Sequence, residues 1–204
     1  MTPIKNIILD FGDVFINLDK AATKRHFEKH NLTNLDQKTL DKNDDYERGL
    51  LTTEEFIEFY TNKYQDLSKD QFIKAWNSML LDLPDYRLDF IKQLKETNNY
   101  KLFLLSNTND LHIQWVENNI STFETFKSYF NEVYLSHEIN LRKPDVDIFE
   151  FVLDQNELNV EDTLFIDDTN EHIESANSLN LQTWHLQTGK EDVVDLFKQK
   201  HLNF

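Results

Sequence analysis

Ile7-Ile8-Leu9-Asp10-Phe11-Gly12-Asp13-Val14 is an apolar run that ends on a carboxylate, a glycine and a second carboxylate. Unbroken apolar residues ahead of a turn signal predict a strand buried on both faces, as in a parallel sheet. In open α/β sheets ligands bind beyond the carboxyl ends of the strands, so a strand tip carrying Asp10 marks a candidate site. Taken alone, Asp-x-Gly is also ordinary turn chemistry.

The second half of the chain repeats this texture. Lys101-Leu102-Phe103-Leu104-Leu105 predicts a strand ending on Ser106-Asn107-Thr108-Asn109, and Glu132-Val133-Tyr134-Leu135-Ser136 predicts another. Thr163-Leu164-Phe165-Ile166 predicts a strand ending on Asp167-Asp168, and Leu181 to Leu186 a fifth. Helical spacing lies between them, at Leu88, Ile91 and Leu94, at Leu111 to Val116, at Ile148, Phe149 and Val152 behind Pro144, and at Ile173, Ala176 and Leu179. Pro144 is expected in the first turn of its helix, where its missing N–H costs nothing, and Val193 to Phe197 is expected to close the chain as a helix. Strands alternating with helices imply an α/β fold, a parallel sheet wrapped by right-handed crossovers.

Residues 15–83 read differently. Thr52-Thr53-Glu54-Glu55 and Ser68-Lys69-Asp70-Gln71 are capping boxes, and aromatic stripes follow them at Phe56, Tyr60 and Tyr64 and at Phe72 and Trp76. Gly49 marks a turn or helix end, and the polar stretches 20–31 and 36–47 also support helix. The expected organisation is an α/β core of residues 1–14 and 84–204, with 15–83 inserted as a small all-helical unit whose aromatics form its core.

Composition narrows the function classes. The chain has 204 residues, enough for one core with an insert, and no cysteine, which suits a cytoplasmic protein and excludes thiolate sites. No stretch approaches the apolar length of a membrane span. A net charge of −16 argues against nucleic acid and anionic lipid as partners.

Asp10, Ser106 and the pair Asp167-Asp168 all fall at predicted strand ends, so they converge on one rim of the sheet, and Lys143, just before a helix, can reach the same rim. Two carboxylates about 4 Å apart repel by roughly 4 kcal/mol at an effective dielectric of about 20. Such a cluster requires protonation or a bridging cation, and a hard dication with oxygen ligands, Mg²⁺, is the economical choice.

With those residues in place, the chain resembles the haloacid dehalogenase superfamily over essentially its whole length, and within it the phosphatase-like members with a small helical cap after the first strand. Asp10-Phe11-Gly12-Asp13-Val14 stands at the nucleophile motif and Ser106-Asn107-Thr108-Asn109 at the hydroxyl motif. Leu141-Arg142-Lys143-Pro144-Asp145 stands at the lysine motif and Phe165-Ile166-Asp167-Asp168-Thr169 at the metal-carboxylate motif. Tyr46-Glu47-Arg48-Gly49 and the following Thr52-Thr53-Glu54-Glu55-Phe56 resemble the cap of sugar-phosphate phosphatases. The resemblance implies a Rossmann-like core and a Mg²⁺-dependent phosphatase for a small phosphorylated metabolite, a sugar phosphate, working as a monomer. It implies that Asp10 attacks phosphorus to form an aspartyl-phosphate, and that Asp10, the backbone carbonyl of Gly12 and Asp168 hold the metal, Asp167 acting indirectly. Ser106 and the backbone N–H of Asn107 would bind phosphate oxygens, and Lys143 would neutralise charge.

One departure stands out. These phosphatases usually carry a general-acid aspartate two positions after the nucleophile, where this chain has Gly12. Either Asp13 or a water substitutes, or Asp13 is a turn residue outside the chemistry; the loss favours good leaving groups such as anomeric sugar phosphates, which a comparison of hexose 1- and 6-phosphates tests. Arg48 and Arg25 are candidates for contacting the anionic substrate, with surface ion pairing as the alternative. His112 and His137 read as structural, and His172 as a hydrogen-bonding residue of its loop. A dehalogenase using Asp10, or a phosphometabolite-binding protein without turnover, are the competing functions.

Overall fold

The computed structural model describes residues 2–30 and 32–204; Asn31, the last residue of the predicted 20–31 helix, lies outside the described residues. The decisive run forms β1 (Asn6–Leu9), every residue of it buried. Four helices follow: α1 (Ala22–Glu28), α2 (Gln37–Glu47), α3 (Thr53–Lys63) and α4 (Lys69–Asn77). The chain then alternates through α5 (Asp85–Glu96), β2 (Lys101–Ser106), α6 (Asp110–Asn119), α7 (Phe123–Ser128) and β3 (Glu132–Leu135). It continues with α8 (Ser136–Ile139), α9 (Val146–Gln155), β4 (Thr163–Asp167), α10 (Asn170–Ser178) and β5 (Gln182–His185).

All pairings are parallel, in the order β3-β2-β1-β4-β5. The chain runs outward from β1 through β2 to β3, then restarts on the other side with β4, so the strand order reverses beside β1. A crevice opens at such a reversal, which fixes the place of a ligand site at the tips of β1, β2 and β4. Side chains alternate across the sheet. Ile7, Leu9, Leu102, Leu104, Leu164 and Ile166 pack on the side of α5, α6 and α7, whereas Ile8, Phe103, Leu105 and Phe165 pack on α9 and α10.

The four helices α1–α4 carry a core of their own, in which Phe27, Tyr46, Phe56, Tyr60, Phe72 and Trp76 interlock and Leu111 of α6 is the contribution from the sheet side. Ring centroids lie 4.0 Å apart for Tyr46 and Phe56 and 4.5 Å for Tyr60 and Phe72. Burying each such ring is worth about 1.5–3 kcal/mol, which accounts for stable helices in so polar a segment. Both predicted capping boxes are present, on Thr52 with Glu55 and on Ser68 with Gln71.

Three local expectations need correction. Pro144 does not open α9: it sits in a turn from Arg142 to Asp145, after a cis Lys143–Pro144 bond, and the helix starts at Val146. The reason is Asn107, whose side-chain amide donates to the Lys143 carbonyl at 2.8 Å and accepts from its N–H at 3.0 Å, taking both backbone groups away from helix formation. The closing segment Val193–Lys198 is a 3₁₀ helix, a form suited to short pieces. After β3 the chain enters α8 directly at Ser136, and neither α8 nor α7 was foreseen. Among the described residues no helix is long and apolar enough to cross a membrane.

Candidate active site

Lys143 is the centre of the rim. Its side chain is wholly buried, and Nζ donates to Asp10 Oδ1 at 2.6 Å, Asp167 Oδ2 at 2.7 Å and the Leu105 carbonyl at 2.8 Å. An ammonium has three donors, so all are satisfied, which is the condition for tolerating a buried charge. The turn held by Asn107 is what delivers this lysine from the loop before α9 to the tips of β1 and β4.

The surroundings push the two buried carboxylates apart. Burial raises Asp10 to about 7, with Lys143 opposing and the charges of Asp167 and Asp168 adding to the rise. Burial acts on Asp167 in the same sense, yet Lys143 and the hydrogen bond to His172 outweigh it and hold that group far below the usual carboxylate range. Burial works against the Lys143 charge, but Asp10 and Asp167 keep it above its ordinary value. The second oxygen of Asp10, Oδ2, accepts no hydrogen bond from the described residues, so one lone-pair face is left for chemistry.

Asp10, Asp167 and Asp168 each offer an oxygen, and these lie within 4.8 Å of one another. An all-oxygen, multiply anionic donor set of this size fits a hard dication such as Mg²⁺. Ser106 is buried at the tip of β2, and among the described residues its hydroxyl has only a 3.5 Å contact, with the Asn107 carbonyl. Asp13, at φ 56°, accepts the Leu18 N–H at 3.1 Å through Oδ1 and pairs with Lys20 Nζ at 2.9 Å through Oδ2. Gly12 faces Leu18: a Cβ there would lie 3.0 Å from Leu18 Cδ1, so an apolar side chain borders the space that a longer residue would enter.

A cleft of about 200 Å³ opens between the sheet rim and the inserted helices. Gly12, Ser106 and Asn107 line one side, Lys20, Thr23, Glu47 and Trp76 the other. Arg48 is not among the lining residues; its Nη2 lies 2.5 Å from Asp145 Oδ2, and Arg25 pairs with Asp19. Arg142 binds Glu47 at 2.6 Å, and Asn140 donates to the Arg48 carbonyl at 2.7 Å. Gly49 completes this junction, with φ +67° and a Cβ position only 2.0 Å from the His137 carbonyl oxygen, so no other residue fits.

Of the histidines, His112 is buried, bonded to Asn109 and the Trp76 carbonyl, and lowered by burial to about 4. His137 faces Asp110 at 3.4 Å. His172 does more than brace its loop, since Nδ1 lies 2.9 Å from Asp167 Oδ2. Sequence reasoning missed Lys20 altogether, whose Nζ lies 2.6 Å from Asp168 Oδ2; it also missed the Arg142–Glu47 junction. A lysine opening a polar helical segment carries no signal that separates it from a solvated surface charge.

Residues 7–185 match the family described as haloacid dehalogenase-like hydrolase. The chain is 28% identical over 197 residues to a D-ribitol-5-phosphate phosphatase of Bacteroides thetaiotaomicron, covering 92% of this chain and 94% of the relative. A HAD family enzyme of Bacteroides thetaiotaomicron, solved as a magnesium complex, is similar with a TM-score of 0.86 and 36% identity over 97% of this chain and 100% of that one. The wild-type enzyme in complex with magnesium and inorganic phosphate gives 0.81 and 34%, covering 92% and 96%.

Proposed function

The chain belongs to the haloacid dehalogenase-like hydrolase family, and on that footing we propose that it is a Mg²⁺-dependent phosphatase for a small sugar or polyol phosphate, working through an aspartyl-phosphate on Asp10. The observation that carries this reading is the wholly buried Lys143, clamped between Asp10 and Asp167 beside a third carboxylate at the sheet reversal. The named relative acts on D-ribitol 5-phosphate, and a cleft of about 200 Å³ suits an ester of that size.

In this reading Asp10 Oδ1 stays on Lys143 while the unpartnered Oδ2 attacks phosphorus. Lys143 holds one oxygen fixed and so orients the other, the positioning that in-line phosphoryl transfer chiefly requires. Ser106 Oγ and the Asn107 N–H bind equatorial oxygens, and water then hydrolyses the acyl phosphate. Asp10, Asp168 and the Gly12 carbonyl would hold Mg²⁺, with Asp167 acting through water. When bound, the dication supplies positive charge for the transferring phosphoryl oxygens. Residues 15–83 serve as the cap that closes the cleft and excludes water.

The test is phosphate release from a panel containing D-ribitol 5-phosphate and hexose 1- and 6-phosphates. Turnover is expected with Mg²⁺, and none with EDTA or in Asp10→Asn. Turnover that survives both treatments refutes the reading.

A further inference from the structure

With Gly12 at the position two residues beyond Asp10 and Leu18 bordering the space beside it, no carboxyl group stands there to assist the departing oxygen. Ser106 and Asn107 are assigned to the phosphate oxygens, and three further polar groups lining the cleft are committed elsewhere. Glu47 is bound to Arg142 at 2.6 Å, His112 is bonded through both ring nitrogens, and the Thr23 hydroxyl reaches the Trp76 carbonyl at 3.4 Å. Lys20 is different. It is the one lining residue described there that carries positive charge, its side chain is half exposed, and its ammonium spans Asp13 at 2.9 Å and Asp168 at 2.6 Å. Two of its three donors are thereby used, and one remains. Asp13 in turn is anchored by the Leu18 N–H, so the loop after β1 holds the lysine at the Gly12 side of the cleft.

From this geometry we infer that Lys20 is a catalytic residue that stabilises the leaving-group oxygen by charge and hydrogen bonding, in the place that a general acid would fill. As the P–O bond breaks, its electron pair passes to the leaving oxygen, the ammonium stabilises the negative charge developing there, and a proton delivered from solvent as the bond breaks completes the alcohol. Asp13 is then a positioning residue, acting through Lys20. The inference rests on the phosphatase reading.

The experiment compares esters whose leaving groups differ in basicity, p-nitrophenyl phosphate and D-ribitol 5-phosphate, in wild type, Lys20→Met, Lys20→Gln and Lys20→Arg. A poor alkoxide leaving group needs the cation and a nitrophenolate hardly does. Lys20→Met and Lys20→Gln are therefore expected to lower kcat/KM on the polyol ester roughly 10²-fold, the scale of one lost transition-state donor, and on the nitrophenyl ester less than about 5-fold, with Lys20→Arg recovering part of the difference. Equal losses on both esters overturn the inference, whether or not Mg²⁺ affinity measured by calorimetry also falls; a fall would show that the lysine only holds Asp168. Wild type releasing phosphate from neither ester removes the phosphatase reading itself, a result distinct from a flat leaving-group profile.

Discussion

Replacing Lys143 by methionine keeps the aliphatic stem and removes the charge, so it isolates the electrostatic part of the site. In metal-free protein the ammonium neutralises two carboxylates whose ligand oxygens are within 4.8 Å of one another. Without it, two ionised groups at that distance repel by about 3.5 kcal/mol at a dielectric of about 20, and deleting one partner of a buried pair costs about 3–5 kcal/mol. The two figures agree, and they set the expectation for urea unfolding in EDTA at about pH 8. The loss must shrink on acidification. Asp10 already stands at about 7 with Lys143 opposing its rise, so removing Lys143 moves it higher, and at about pH 5.5 the variant carries a neutral Asp10 and no repulsion. Excess Mg²⁺ at the higher pH returns part of the stability by binding the folded state. A loss equal at both pH values, and unmoved by Mg²⁺, would mean that packing of the stem, and not charge, is what Lys143 provides.

Three further outcomes follow from the same geometry. Because Asp10 is raised from 3.8 to about 7, its contribution to stability is fully present below the ordinary carboxylate value and is lost as pH rises through 7; Asp10→Asn should therefore stabilise metal-free protein by about 2–4 kcal/mol at about pH 8 and not at about pH 4, as read by thermal melts. Asp167, held low, works in the opposite direction, its contribution being lost as pH falls. Gly12→Asp supplies the missing acid but meets Leu18 at 3.0 Å, so the double variant with Leu18→Ala should gain about 10-fold or more on polyol phosphates where Gly12→Asp alone gains less; general acid help is worth about 10²–10⁴-fold when well placed. Gly49→Ala forces a Cβ to 2.0 Å from the His137 carbonyl at positive φ, and should cost about 2–4 kcal/mol in chemical denaturation, with tryptophan fluorescence following the same transition.

What could be read in advance divides by the range of the forces involved. Strand tips were legible because Leu9, Leu105 and Ile166 are each the last apolar residue before a polar one, and a both-faces-buried strand ends at such a change or one residue past it. Helices α3 and α4 were legible because Thr52 and Ser68 close local hydrogen-bonded boxes. Pro144 was misplaced because its conformation is set by Asn107, 36 residues away along the chain for the Lys143 carbonyl it binds. Lys20 and Arg142 were silent for a similar reason. The first meets Asp168 across 148 positions and the second meets Glu47 across 95, so neither contact leaves a periodicity or a spacing to find. His172 was undervalued because nothing in its neighbourhood tells that Asp167 Oδ2 is already shared with Lys143.

An acidic chain that binds a phosphate dianion must solve a local charge problem, and the site shows how the solution is divided. Once pH exceeds the raised value of Asp10, Asp10, Asp13, Asp167 and Asp168 bring four negative charges to the rim, and Lys20 and Lys143 return two positive ones. The metal-free site is therefore left with a deficit of two charges, which a phosphomonoester would only enlarge. In the proposed site a dication would cancel that deficit, so that Ser106 and the Asn107 N–H could bind phosphate oxygens without working against the field of the carboxylates. Substrate affinity and metal affinity are then two sides of one coupling, equal in either direction. The net charge of −16 consequently does not exclude an anionic ligand; it makes occupancy by one conditional on the ion. It also explains why the two lysines differ in setting. Under the proposed mechanism the wholly buried Lys143 stays between Asp10 and Asp167 through the cycle, whereas Lys20, half exposed and held by Asp13 and Asp168, meets the leaving group at the cleft.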